Sequence, residues 1–339
     1  MTRPPQVTIA IPTFNRLSYL RQALDSALSQ TYSNVQIVVS DNCSADGTAD
    51  FVSSISDQRL VFLKQEHNLG MAGNWNACLE RATGEFFLLL SDDDYLEASA
   101  IEKLALAFTS SEHPEQVAVA CCRIWEVNQQ GEKISITPAP LPCEEARDFA
   151  LQFFLRKRVL HPCSALFRTN DLRQIGGYSQ GNVQVAVDAM AWSRILLQRG
   201  MIAGVAEPLT NYRVHQANVT STQRIQVWQK DIRALAQLWS EAFHGSPAEL
   251  RQRLHKTARQ YEGWVVAAII NQSAHSWAGR FRAIANYHRC RDTFAGLAGK
   301  ADLLAGIAKL LAPEIIKRPL RKVLLSQQTV IPPALTPSK

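Results

Sequence analysis

Four apolar runs, each followed by a polar cluster or a segment of helical spacing, constrain the first hundred residues to an alternating strand–helix fold. They are "VTIAI" (7–11), "VQIVVS" (35–40), "RLVFLK" (59–64) and "EFFLLL" (85–90). None alternates apolar with polar residues, as a strand with one wet face does. Strands apolar throughout lie in a sheet covered on both faces, which with intervening helices is a mostly parallel α/β sheet. The intervening segments agree: Leu17, Leu20, Leu24 and Leu28 recur at helical spacing, an amphipathic stretch runs to Ile55, and "MAGNWNACLERA" is a helix after the third run. "VAVACCRIW" (117–125) is a further strand.

In open parallel sheets ligands bind outside the carboxyl ends of the strands. The clusters "PTFN", "DNCSADGT" and "SDDD" directly follow the first, second and fourth strands, so they should converge on one edge. In "LLLSDDDYL" three consecutive aspartates stand against an apolar run. Adjacent carboxylates repel, and a cation or a row of hydroxyls opposite them would relieve that repulsion. The competing reading is a helix cap for "ASAIEKLALAF", for which one Asp suffices.

Beyond the strand at 117–125 the pattern loosens, and "TPAPLPC" (137–143) marks a loop or excursion. From Arg224 the chain turns helical, with Ile225, Trp228, Ile232, Leu235 and Trp239 on one stripe. "SPAEL" (246–250) reads as an N-cap Ser followed by Pro, opening a helix with Leu250, Leu254, Tyr261 and Val265 inside. The domain division expected is therefore residues 1–222 and a helical region, 223–339.

Seven cysteines, an odd number without a C-x-x-C pair, argue against a disulfide framework and a zinc knuckle. The N-terminus has no long apolar leader and no segment approaches the ~20 apolar residues of a membrane span, so the expected location is the cytoplasm. Charge is unevenly placed. Residues 251–339 hold 15 Lys and Arg against 4 Asp and Glu, whereas the rest of the chain is net acidic. A basic tail can face nucleic acid, anionic lipid or only solvent.

The clusters also occur in a known order. "TIAIPTFNR", "VVSDNCSADGT", "GEFFLLLSDDDYL", "IGGY", the Asp of "VDAMAWSRILL" and "YRVHQANVTS" together resemble a family 2 glycosyltransferase of the GT-A fold, over roughly residues 5–222. The resemblance implies a GT-A-type, Rossmann-like sheet flanked by helices. It implies an inverting transfer of sugar from a nucleotide-diphosphate donor to a glycan or lipid-linked acceptor, in surface polysaccharide assembly.

By that resemblance Pro12, Thr13, Phe14 and Asn15 line the nucleotide pocket, and Asp41 accepts a hydrogen bond from the base. A carboxylate suits a pyrimidine N3–H or an exocyclic amine, and the ring of Phe14 can stack on a base. Asn15 can equally cap the following helix. Asn42 and Cys43 stand where the family commonly has a second acid and a glycine, leaving base identity open. Asn68 and Asn74, in "HNLGMAGNWN", border the nucleotide site, or belong to a plain turn into a helix.

The aspartates then acquire a role. A divalent ion, Mn2+ or Mg2+, bridging carboxylate and phosphates neutralises charge developing on the leaving diphosphate. Ser91 departs from the family's D-x-D, Asp93 holds its closing acid and is the expected metal ligand, Asp92 is placed for the ribose hydroxyls, and Asp94 is a more distant ligand or the helix cap. His215, after "YR", matches a family histidine that ligates metal or contacts the diphosphate. Asp188 matches the base that deprotonates the acceptor hydroxyl, against a plain helix N-terminal Asp. Gly176 and Gly177 are expected to turn tightly beneath the acceptor site.

Two rivals are weighed. A nucleotidyltransferase making a nucleotide sugar opens with a glycine-rich, arginine-bearing loop, and here that place reads "PTFNRLSYL". A catalytically silent sugar-nucleotide or glycan-binding module would have no need of Asp93, Asp188 and His215 together. A nucleic-acid partner would explain the tail but not the acidic strand ends. In "DLLAGIAKLLAPEIIKRPLRKVLL" (302–325) apolar residues are edged by Lys and Arg; such a stripe either lies on the anionic inner leaflet of a membrane or packs on the catalytic domain or a second copy of the chain.

Overall fold

Strand β1 (Val7–Thr13) is buried along its whole length, and its side chains divide between two cores. Val7, Ile9 and Ile11 point to one face of the sheet and Ala10 to the other. β2 (Val35–Asp41) and β4 (Phe86–Leu89) behave alike: Phe86 and Leu88 lie on one side, Phe87 and Leu89 on the other. This two-faced burial is what the uninterrupted apolar runs encode, and each such side chain contributes roughly 1.5–3 kcal/mol.

The computed structural model describes residues 4–178, 183–215, 225–243, 252–259 and 261–262, with single positions 248, 281 and 285. Between the strands named above lie α1 (Leu17–Leu28), α2 (Thr48–Ser53), β3 (Leu60–Lys64) and α3 (Gly70–Arg81). α1 buries Leu20, Ala23, Leu24 and Ala27, the stripe its leucine spacing predicts. After β4 come β5 (Tyr95–Leu96), α4 (Ala100–Thr109), β6 (Val117–Val127), β7 (Lys133–Ile136), β8 (Cys143–Glu145), α5 (Ala146–Phe154), β9 (Ala165–Arg168), α6 (Thr169–Gln174), α7 (Val187–Arg199), β10 (Met201–Arg213) and α8 (Ile225–Ala242).

The sheet runs β3-β2-β1-β4-β9-β6-β10-β5, with β7 on β6 and β8 on β10. Its first half is parallel. β9 then enters antiparallel between β4 and β6, and only the β6–β10 pair restores parallel pairing. The reversal follows from the irregular stretch after β6, where the proline-rich excursion and α5 replace a regular strand–helix unit.

A compact unit extends from Met1 to Glu262, and α8 lies within it. Ile232, Leu235 and Trp239 of its apolar stripe are buried, and the Trp239 indole N–H donates to Ser193 Oγ on α7 at 2.9 Å. Leu254 of the following helical segment is fully buried, and Tyr261 packs against Phe153 and Phe154. The "SPAEL" cap and the basic segment 302–325 lie outside the described residues.

Candidate active site

The carboxyl ends of β1, β2 and β4 meet, and their loops are sewn together. Asn42 N donates to Thr13 O at 2.9 Å, Asn15 N to Ser44 Oγ at 2.8 Å, Ala45 N to Asn15 Oδ1 at 2.8 Å and Leu17 N to Asp46 Oδ2 at 2.8 Å. Asn15 therefore ties two loops and does not cap α1, whose N-cap is Arg16. Asn15 and Cys43 both have positive φ, 53° and 68°. At position 43 that conformation accounts for the glycine expected there, because left-handed backbone strains a residue with a Cβ.

Asp41 is fully buried. Its Oδ1 accepts the Ser44 amide hydrogen at 2.9 Å, and its Oδ2 has no hydrogen-bond partner among the described residues. An orphaned buried carboxylate oxygen costs stability unless a donor meets it. Phe14 is 42% exposed, leaving a ring face for a ligand, whereas Pro12 and Thr13 are buried.

The asparagines hold the loops around Asp41. Asn42 donates from Nδ2 to Asn68 Oδ1 at 3.0 Å and accepts the Leu69 amide at 2.7 Å, so the amide in place of a second acid holds the loop before α3. Asn68 also accepts the Gly70 amide at 2.8 Å. Asn74 is buried; Ser40 Oγ donates to its Oδ1 at 2.6 Å and its Nδ2 donates to Ser40 O at 3.0 Å. Asn74 thus fixes α3 to β2.

Asp92, Asp93 and Asp94 are all buried. Thr13 Oγ1 donates to Asp92 Oδ2 at 2.8 Å, and Arg16 Nη1 reaches both Asp92 Oδ1 at 3.2 Å and Asp93 Oδ2 at 2.8 Å. His215 Nε2 stands 2.9 Å from the same Asp93 Oδ2, with the imidazole stacked on Tyr19 at 5.4 Å between centroids. Asp94 caps no helix, since α4 begins at Ala100 behind Ser99. It accepts the Arg213 amide at 2.9 Å, while Arg213 Nε donates to Asp93 O at 2.9 Å. Burial, then the neighbouring Asp93, raises the Asp92 carboxyl to about 6 against the opposing pull of Arg16, and the same two causes raise Asp94.

The structure thus brings Asp93 and His215 together. A carboxylate oxygen beside an imidazole nitrogen is a donor pair open to a divalent ion, the carboxylate being the ligand type that Mn2+ and Mg2+ favour. Among the described residues no group of three or more His, Cys, Asp or Glu is arranged to hold a metal. An ion held there would take no more than one or two protein ligands and complete its shell with phosphates and water.

Asp188 sits in the first turn of α7. It lines a small cavity with His161, Tyr178 and Trp192, and burial raises its carboxyl to about 6 against its backbone hydrogen bonds. The turn 161–164 links this cavity to the aspartates. His161 stacks on Tyr212 at 4.3 Å, and burial, then the neighbouring Asp94, raises the Cys163 thiol. Gly176 and Gly177 have φ of 84° and 71°, and a Cβ on Gly177 would come within 2.4 Å of Asn76 Oδ1, which accepts the Tyr178 amide hydrogen. The tight turn expected of "IGGY" is there, seated on α3.

Three residues that sequence reading passes over shape the site. Arg16 holds two aspartates. Arg213 spans from Asp93 to Gln22, donating from Nη2 to Gln22 Oε1 at 2.6 Å. Asp231 of α8, fully buried, accepts the amide hydrogens of Gln184, Val185 and Ala186 at 3.0, 2.7 and 3.1 Å, fixing the entry to the helix that carries Asp188. The signals were an arginine directly after "PTFN" and a lone acid within an apolar helical stripe, neither specific in isolation.

Comparison with known proteins follows the same residues. The family model Glycosyl transferase family 2 matches residues 8–176. The chain is 28% identical over 222 residues to an uncharacterized glycosyltransferase of Rickettsia typhi, covering 65% of this chain and 68% of that one. It is 38% identical over 103 residues to the GalNAc(5)-diNAcBac-PP-undecaprenol beta-1,3-glucosyltransferase of Campylobacter jejuni, covering 30% of this chain and 33% of that one. Among solved structures, S. aureus TarS 1–349 in complex with UDP-GlcNAc superposes with a TM-score of 0.56 at 17% identity, covering 94% of this chain and 92% of that one. At that identity the likeness concerns the fold.

Proposed function

From a chain that belongs to the glycosyl transferase family 2 and is a glycosyltransferase using a nucleotide-diphosphate sugar, we infer a metal-dependent, inverting transfer to a hydroxyl acceptor in surface polysaccharide assembly. The observation that carries this reading is the meeting of His215 Nε2 with Asp93 Oδ2, 2.9 Å apart, on the sheet edge to which β2 brings Asp41.

Asp41 Oδ2 accepts a hydrogen bond from the base, Phe14 offers its ring face, and Asp92, held by Thr13, faces the ribose. Asn68 and Asn74 act by holding the pocket wall. Asp93 and His215 would hold Mn2+ or Mg2+, which when bound supplies positive charge for the departing diphosphate. Asp188 takes the proton of the acceptor hydroxyl as its oxygen bonds to the anomeric carbon and the bond to the diphosphate breaks, inverting the centre. Burial suits Asp188 to this task, since a base raised to about 6 is a better proton acceptor than an ordinary carboxylate and is still ionised at neutral pH.

The acceptor proposed is a glycan on a lipid carrier, supported by the undecaprenol-linked acceptor named for the Campylobacter relative. The reading places residues 1–222 in donor and acceptor chemistry and residues 223–339 in acceptor, membrane-surface or oligomer contacts, on the cytoplasmic side of the membrane. No described helix is long and apolar enough to cross a membrane. The basic stripe 302–325 supports surface attachment.

The test of the donor assignment is a thermal-shift screen of nucleoside diphosphates and nucleotide sugars with and without Mn2+. A ligand that binds only the folded state raises its apparent stability. At least one nucleotide should raise Tm more with Mn2+ than without; no nucleotide effect under either condition refutes the reading.

A further inference from the structure

Asp93 Oδ2 meets Arg16 Nη1 at 2.8 Å and His215 Nε2 at 2.9 Å. The guanidinium also reaches Asp92 Oδ1 at 3.2 Å, so one nitrogen spans the first two carboxylates of the run. We propose that Arg16 is the resident counter-cation of the aspartate run, which a divalent ion displaces from Asp93 and which then turns to the donor's diphosphate.

The inference rests on the ion assigned to Asp93 and His215 above. Its first ground is competition for one oxygen: Asp93 Oδ2 is the atom that His215 faces, and the guanidinium already lies against it. A divalent ion at that oxygen repels the neighbouring cation at short range in a poorly solvated site.

The second ground is mechanical. The Arg16 backbone is fixed, because its carbonyl accepts the amide hydrogens of Tyr19 and Leu20 at 3.0 Å each as α1 begins. Its side chain is 28% exposed, whereas those of Asp92 and Asp93 are 7% and 9% exposed. The arginine thus enters the acidic site from its solvent side and can leave without disturbing the helix. The third ground is charge. An ionised carboxylate buried beside other acids needs a cation near it, and Arg213, held at Asp93 O, Gln129 O and Gln22, serves the backbone around them. Arg16 fills the need at Asp92 and Asp93 while no ion is bound. A guanidinium freed from carboxylates has in phosphate an equally good planar, two-point partner.

Two effects of opposite sign follow from removing this side chain. In Arg16→Gln, Mn2+ alone should bind about tenfold more tightly than in wild type, measured by the loss of the free Mn2+ electron paramagnetic resonance signal. At saturating Mn2+ the same variant should bind inorganic pyrophosphate several-fold more weakly. A general loss of structure moves both affinities downward and does not produce this pattern. Arg16→Lys keeps the charge on a shorter, more flexible side chain without the planar fork, so its Mn2+ affinity should lie between the two; it also serves if Arg16→Gln fails to fold.

Mn2+ affinity unchanged or lowered in well-folded Arg16→Gln, or in Arg16→Lys if that alone folds, overturns displacement. Tighter Mn2+ with unaltered pyrophosphate binding overturns the turn toward phosphate. If neither wild type nor variant binds Mn2+, the ion reading itself fails and displacement fails with it, an outcome distinct from equal, measurable Mn2+ binding in both.

Discussion

His215 Nε2 lies 2.9 Å from Asp93 Oδ2 although 122 residues of chain separate the two. β10 makes this possible: it pairs antiparallel with β5, so the chain after Asn211 runs back past Tyr95 toward the aspartates. Asp93→Asn keeps the size of the side chain and removes its charge. Sugar transfer should fall by at least about 10², and Mn2+-dependent binding of nucleoside diphosphate should weaken while nucleoside binding stays. Calorimetry showing the diphosphate and Mn2+ bound as in wild type refutes the role.

Asp188 lines a cavity with His161, Tyr178 and Trp192 and, as the base proposed above, should act on the acceptor alone. Asp188→Asn is expected to keep donor affinity and to lose on the order of 10²–10⁴ in transfer rate. Single-turnover kinetics beside donor titration separate the two quantities, and near-normal turnover in a folded variant removes Asp188 from the mechanism.

The same carboxyl predicts a pH dependence of stability. Burial raises Asp188 to about 6 in the folded chain, against about 3.9 in an unfolded one. Between these values the folded state binds more protons than the unfolded state, so this group's contribution to stability declines as pH rises from about 4 to about 6. Asp188→Asn escapes that decline. Its Tm should match the parent's near pH 4 and exceed it at pH 7; a constant difference across the range contradicts the assignment.

Asp231 accepts three consecutive amide hydrogens ahead of α7 from within a fully buried position. Asp231→Ala leaves those amides without their acceptor, at a cost of about 1–3 kcal/mol for each that stays unpaired, whereas Asp231→Asn retains one acceptor oxygen and should cost less. Urea unfolding measures both, and an alanine variant within about 1 kcal/mol of wild type would show that water replaces the carboxylate.

The sequence by itself determined the parallel half of the sheet and the edge where chemistry gathers. Runs such as "EFFLLL" bury side chains on both faces, and this local pattern survives any tertiary arrangement that covers both faces. Because polar clusters follow those runs directly, Thr13, Asp41 and Asp92 could be placed together before any coordinate. The tertiary structure decided what local spacing cannot encode. β9 reverses the sheet after β4, since pairing direction there depends on where a long irregular connection returns. Asn74 spends its amide on Ser40, and Asn15 on the neighbouring loop instead of a helix N-terminus, because side-chain partners come from strands distant in sequence. Arg16 lying on Asp92 and Asp93, and Asp231 on the entry to α7, are juxtapositions across 76, 77 and about 45 residues. A charge's partner over such a span is fixed by packing of the whole sheet and its helices, and no periodicity along the chain carries that information.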